Sequence, residues 1–155
     1  MNKPVKHAKS LNIFSPANRV PKTKAYFLLI YLQGGGDMEI VTMNQVKKTP
    51  LDNPIFTGSA VTIQELLPDS QEFLVNIVNF GKGVRNKFHT HSTEQILIVT
   101  TGKGIVATDQ EERIVTPGDI VLIPAGEKHW HGATPDSDLS HIYVMRKGSV
   151  LKQLE

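Results

Sequence analysis

The chain of 155 residues contains no cysteine. Disulfides, zinc ribbons, cysteine-ligated iron–sulfur clusters and thiol nucleophiles are therefore excluded, and nothing demands an oxidising compartment. Long apolar runs are also missing. The run 25–32, AYFLLIYL, has eight residues, where about 20 are needed to cross a bilayer as a helix. After residue 38 no stretch carries a convincing amphipathic helical period, and only the tail 149–155 reads as a possible helical turn. There is no internal repeat and no sign of a second folded domain. A strong charge of either sign is absent too, the formal net charge being +2.

That small charge hides an asymmetry. Residues 1–37 carry six Lys/Arg (Lys3, Lys6, Lys9, Arg19, Lys22, Lys24) against Asp37, for +5. The other 11 basic and 14 acidic residues give −3 after that point. The basic part is thus a short arm without interleaved aromatics, which argues against a nucleic-acid partner. Residues 1–24 are rich in Lys, Asn and Pro without a period and read as disordered. The apolar run 25–32 has three readings. A signal-peptide core is disfavoured by the long basic stretch before it and the lack of a small-residue cleavage site after it. A stray strand packed on the domain is the second.

The third reading is preferred. Gly34-Gly35-Gly36-Asp37 immediately precedes Met38. Every Gly codon begins GG and every Asp codon GA, so the message is purine-rich just before an ATG, as a prokaryotic ribosome-binding site is. The hypothesis is that translation naturally starts at Met38 and that 1–37 is an extension upstream of the domain 38–155. An intact mass of the endogenous protein that includes Met1 would sink it.

What remains is a succession of short alternating segments. Strands are expected over 39–46, 60–67, 72–80, 85–91, 95–101, 104–109, 112–116, 120–123, 129–133 and 140–145. Turn residues such as Gly81-Lys82-Gly83, Gly102-Lys103-Gly104 and Thr116-Pro117-Gly118-Asp119 fall between them. Evenly spaced short strands imply a sandwich or barrel.

Five of the six histidines fall within 89–141 and on expected strands or their edges. His89 and His91, two apart on one strand, share a face and aim at one point. Gln95 opens the next strand, and His129 follows later. Imidazole nitrogen and amide oxygen suit first-row divalent ions. Such a neutral set would leave the ion its full charge, favouring a bound anion or a water of lowered pKa. His131, at i+2 from His129, faces the same interior and is a candidate proton-transfer group. The plainer reading of His131 is a histidine bonded to a ligand or to a neighbouring strand. A lone His-x-His pair is weak evidence; the clustering strengthens it.

The segment Gly83–Gly102 resembles the first motif of the cupin family, G(X)5HXH(X)3,4E(X)6G, at every spacing. Gly118, Pro124, Gly126 and His129 are similar to the second, G(X)5PXG(X)2H(X)3N. The likeness extends over about residues 56–146. It implies an all-β, single-domain jelly-roll barrel, the cupin double-stranded β-helix. It also implies one divalent transition metal (Mn, Fe, Ni or Zn) on His89, His91, Gln95 and His129. There are two departures: Gln95 stands where most members have Glu, and Ala133 where the second motif ends in Asn. Glu94 is adjacent to Gln95 but would face away.

Within the family the strings HTHS-x-x-Q-x-LIVT-x-G-x-G and PAGEKHWHGA, with Phe56-Thr57-Gly58, resemble small cupins akin to carboxymuconolactone decarboxylase partners. That group includes manganese-dependent hydroxynitrile lyases. This resemblance favours manganese and places His131 and His141 in the cavity as catalytic groups. Those lyases carry Gln four residues after the final histidine, where this chain has Met145.

The expected function is therefore lyase, isomerase or decarboxylase chemistry on a small oxygenated molecule. The alternatives are an iron dioxygenase and a non-catalytic small-ligand-binding module. A cytoplasmic homodimer, paired through edge strands 39–46 and 60–67, is expected by analogy.

Overall fold

The computed structural model describes residues 37–155. The basic arm and the apolar run 25–32 lie outside the described residues. Ile40–Glu155 form one compact unit. Among the described residues eleven strands build two antiparallel sheets, and there is no α-helix. The first sheet contains β1 (Thr49–Pro50), β2 (Val61–Glu65), β3 (Phe73–Phe80), β5 (Gln95–Gly102), β8 (Ile120–Ile123) and β10 (Leu139–Arg146), in the order β1-β2-β3-β10-β5-β8. The second contains β4 (His89–His91), β6 (Gly104–Thr108), β7 (Glu112–Val115), β9 (His129–Ala133) and β11 (Leu151–Gln153), in the order β11-β4-β9-β6-β7. This is the two-sheet jelly roll expected.

Period-two alternation explains which side chains turn inward. Along β5, Gln95, Leu97 and Val99 are buried while Ile96, Ile98 and Thr100 are only half-buried. The registers line up inward residues in rows across the first sheet. Phe80 lies opposite Leu139, then Val78 opposite His141 and Val99, Asn76 opposite Tyr143 and Leu97, and Leu74 opposite Met145 and Gln95. In the second sheet Ala133, Gly104 and Val115 share a row, and His131 and Val106 the next. The interior is thus graded. A dry plug of Val61, Val78, Phe80, Val99, Val115, Ala133 and Leu139 fills one end. The histidine-bearing rows come next.

The turn between β5 and β6 shows what fixes the register there. Gly102 has φ 79°, and a Cβ on it would lie 1.9 Å from the Asp138 carbonyl oxygen. Only glycine allows this approach, which ties the hairpin to the start of β10.

Three expectations are corrected. Residues 39–46 are not a strand: they hold only a 3-10 turn, Met43–Gln45. The buried Gln64 amide donates to the carbonyls of Met43 and Val46 at 3.0 and 2.8 Å, so a side chain satisfies that backbone in place of a ladder. The expected edge pairing through 39–46 therefore has no strand to use, and the edge next to β2 is the two-residue β1. The tail is not a helical turn, because Leu151–Gln153 pairs antiparallel with His89–His91. The histidine strand is shorter than expected; Arg85 and Asn86 make only isolated bridges, to Gly132 and Phe56.

Candidate metal centre

β4 is held between two neighbours: His89 lies opposite His129 of β9 on one side and Gln153 of β11 on the other. Alternation sends His89 and His91 to one face, and pairing brings His129 against them. The ring centroids of His89 and His129 are 4.2 Å apart, those of His89 and His91 4.9 Å. One ring nitrogen from each of the three lies within 4.8 Å of the other two. All three are buried.

Hydrogen bonds orient two of these rings. His89 Nδ1 lies 2.8 Å from the Lys87 carbonyl, and His129 Nδ1 2.8 Å from the Glu127 carbonyl. A carbonyl only accepts, so each Nδ1 carries the proton and donates it. Each Nε2 is left with a bare lone pair, the arrangement of a metal-binding histidine supported by a backbone carbonyl. Gln95 Oε1 sits 3.3 Å from His129 Nε2. His91 has no hydrogen-bond partner on either ring nitrogen, though it is buried. Such a group costs about 1–3 kcal/mol if nothing binds it. Convergent lone pairs and an orphaned buried imidazole fit a divalent cation, whose identity this donor set does not dictate.

Burial keeps these histidines neutral. Desolvation, followed by the proximity of His129, lowers His89 to about 3 and His91 to about 4. His129 is lowered by desolvation too, against the pull of the Glu127 carbonyl and carboxylate. The site is therefore free of competing protons at neutral pH.

His131 and His141 form a second cluster beside the first. The rings of His131 and His129 are stacked at 6.0 Å. His131 and His141 meet at 3.2 Å, Nδ1 to Nε2, and Phe80 packs against both. His141 is lowered to about 4 by desolvation, and His131 falls well below its ordinary range for the same reason. Glu94 is exposed, as alternation implies. Met145 lies opposite Gln95 across the sheet. Trp130, between two inward histidines, packs under the Arg85 guanidinium, 4.7 Å from the ring centroid. A cavity of about 430 Å³ lies between β6–β7 and β8, with Val106, Thr108, Val121, Ile123 and His129 in its wall.

Two residues of this site are invisible to periodicity. Asn86 is buried and bonds His131 Nε2 at 3.1 Å. Gly132 accepts the close passage of residues 84–85: a Cβ there would lie 2.3 Å from Arg85 Cα and 2.6 Å from the Val84 oxygen. The Gly at i+3 from His129 is the one available hint. Asn86 precedes the regular strand and offered none.

The comparisons with known proteins point to one family. A family model for the cupin domain matches residues 76–145. The chain is 39% identical over 97 residues to an (R)-mandelonitrile lyase of Granulicella tundricola, an overlap of 59% of this chain and 72% of that protein. A cupin-like protein of Thermotoga maritima superposes with a TM-score of 0.64 at 33% identity, over 77% of this chain and 89% of the other. A polyketide cyclase of Streptomyces resistomycificus superposes with a TM-score of 0.69 at 20% identity, over 77% and 87% of the two chains, a likeness of fold alone.

Proposed function

The chain belongs to the cupin superfamily, and from that premise we propose that it is a metal-dependent enzyme acting on a small oxygenated molecule. The reaction class is lyase, isomerase or decarboxylase chemistry. The observation that carries the proposal is the pair of Nδ1–carbonyl bonds that turn the bare Nε2 atoms of His89 and His129 towards unpartnered His91. In this reading His89, His91 and His129, with Gln95 Oε1, hold one divalent ion, with manganese favoured by likeness to the lyase group. A bound ion would supply a Lewis acid that polarises a carbonyl or alkoxide oxygen. The protein's own part is to keep four neutral donors dry and to place the neutral histidines His131 and His141 where a proton can be held or moved.

We do not carry the likeness to the mandelonitrile lyase over to its substrate. Met145 stands beside Gln95 with no hydrogen-bonding group, so a substrate that needs an amide there would lose a partner. Elemental mass spectrometry on the protein, beside His89→Ala and His129→Ala, tests the proposal. About one equivalent of a transition metal, lost in both variants, is expected. No metal in the unaltered protein, even after reloading with Mn²⁺, Fe²⁺, Ni²⁺ and Zn²⁺, would overturn it in favour of an organic-ligand pocket.

A further inference from the structure

Three hydrogen bonds join Asn86 to His131. The Asn86 backbone N–H donates to the His131 carbonyl at 3.0 Å. The His131 backbone N–H donates to Asn86 Oδ1 at 2.7 Å. Asn86 Nδ2 lies 3.1 Å from His131 Nε2. The second bond orients the amide, because a backbone N–H only donates and so faces oxygen. Asn86 Nδ2 then carries the amide hydrogens, one of them facing His131 Nε2, and it can only donate. His131 Nε2 must therefore be the bare nitrogen. In the neutral ring the proton then sits on Nδ1 and is donated across 3.2 Å to His141 Nε2. That leaves His141 with its own proton on Nδ1. This atom is buried and makes no hydrogen bond; the neighbouring Ile142 carbonyl attracts charge on the ring without meeting a bond's geometry.

We propose that Asn86 is a positioning residue that fixes the tautomers of the His131–His141 pair and so makes His141 Nδ1–H the group that donates a proton or hydrogen bond to substrate. Both nitrogens of His131 are occupied, one by Asn86 and one by His141. His131 thus acts as a spacer that relays polarity, and the free donor is one ring further on. The group it recognises is a hydrogen-bond acceptor, such as a carbonyl, alkoxide or carboxylate oxygen. The role towards substrate rests on the functional reading above; the tautomer assignment does not.

The device has a built-in reversal. In Asn86→Asp the oxygen that accepts the His131 backbone N–H is retained, but the atom facing His131 Nε2 becomes an acceptor. His131 Nε2 then takes a proton. Long-range ¹H–¹⁵N correlation spectra of the uniformly ¹⁵N-labelled full chain, cleared of paramagnetic ions by chelator, report which ring nitrogen bears hydrogen. His131→Gln and His141→Gln provide assignments. The expected result is Nδ1–H on both rings in the unaltered protein, and a proton on His131 Nε2 in Asn86→Asp. An Nε2–H on His131 of the unaltered protein would overturn the proposal, even if Asn86→Asp fails to fold. A folded Asn86→Asp with His131 unchanged would overturn it as well. Metal content measured on the same preparations before chelator treatment separates this outcome from failure of the metal reading.

Discussion

Acidifying the metal-free protein from about pH 7.5 to about pH 5 is expected to remove about 2 kcal/mol of stability through His141 alone. The side chain is 1% exposed, and burial lowers its pKa from 6.5 to about 4. In the unfolded chain it titrates near its ordinary value. Between those two values the unfolded state binds more protons than the folded one, so stability rises with pH. The contribution is fully present above about pH 6.5, declines as pH falls, and is gone below about pH 4. Two and a half pKa units correspond to about 3.4 kcal/mol in all, of which about 2 fall above pH 5. The assay is urea unfolding followed by far-ultraviolet circular dichroism, with chelator, for the protein and for His141→Gln. The stability difference between the two should shrink by about 2 kcal/mol across the range. Parallel curves, with a constant difference, would refute the argument that a neutral imidazole is locked at this position.

The other predictions concern the donor cluster and the packing around it. His91→Leu removes a buried ring with no partners, so the metal-free protein should gain about 1 kcal/mol, while the rise in melting temperature on adding Mn²⁺ or Zn²⁺ disappears; calorimetry with and without metal reads both. Gly132→Ala forces residues 84–85 away from β9 and should cost about 3 kcal/mol and weaken the Asn86–His131 bonds, seen as faster exchange of the His131 amide hydrogen. Leu139→Ala, cut from the plug at 1% exposure, should cost about 3 kcal/mol in denaturant melts and leave metal stoichiometry unchanged. A loss of metal in that last variant would mean that plug and site are not separable layers.

Much of the architecture was legible because it rests on alternation. The segment 95–101 is expected as a strand, and β5 alternates between buried and half-buried positions from Gln95 to Thr100. The spacing of His89, His91 and His129 was legible for the same reason, since period two fixes which side chains share a face. What was illegible depends on contacts between distant residues. β11 is exposed at all three positions, so no apolar pattern marks it; its backbone bonds to β4 make it a strand. Residues 39–46 look extended, yet no neighbouring strand pairs with them, and Gln64 takes up their carbonyls. Asn86 sits in irregular backbone, where neither period applies. Its role emerges only when Gly132 lets it reach His131.

Trp130 has a consequence of an optical kind. It is the chain's only tryptophan, lodged between His129 and His131, 8% exposed and capped by a guanidinium. Its indole is therefore the single tryptophan emitter, in a dry, cation-covered setting on the strand that unites the two histidine clusters. Any shift of β9 as the cavity fills will move the ring relative to Arg85 and register as a change in emission. The molecule thus carries its own label for ligand screening, with one transition to interpret and no dye attached.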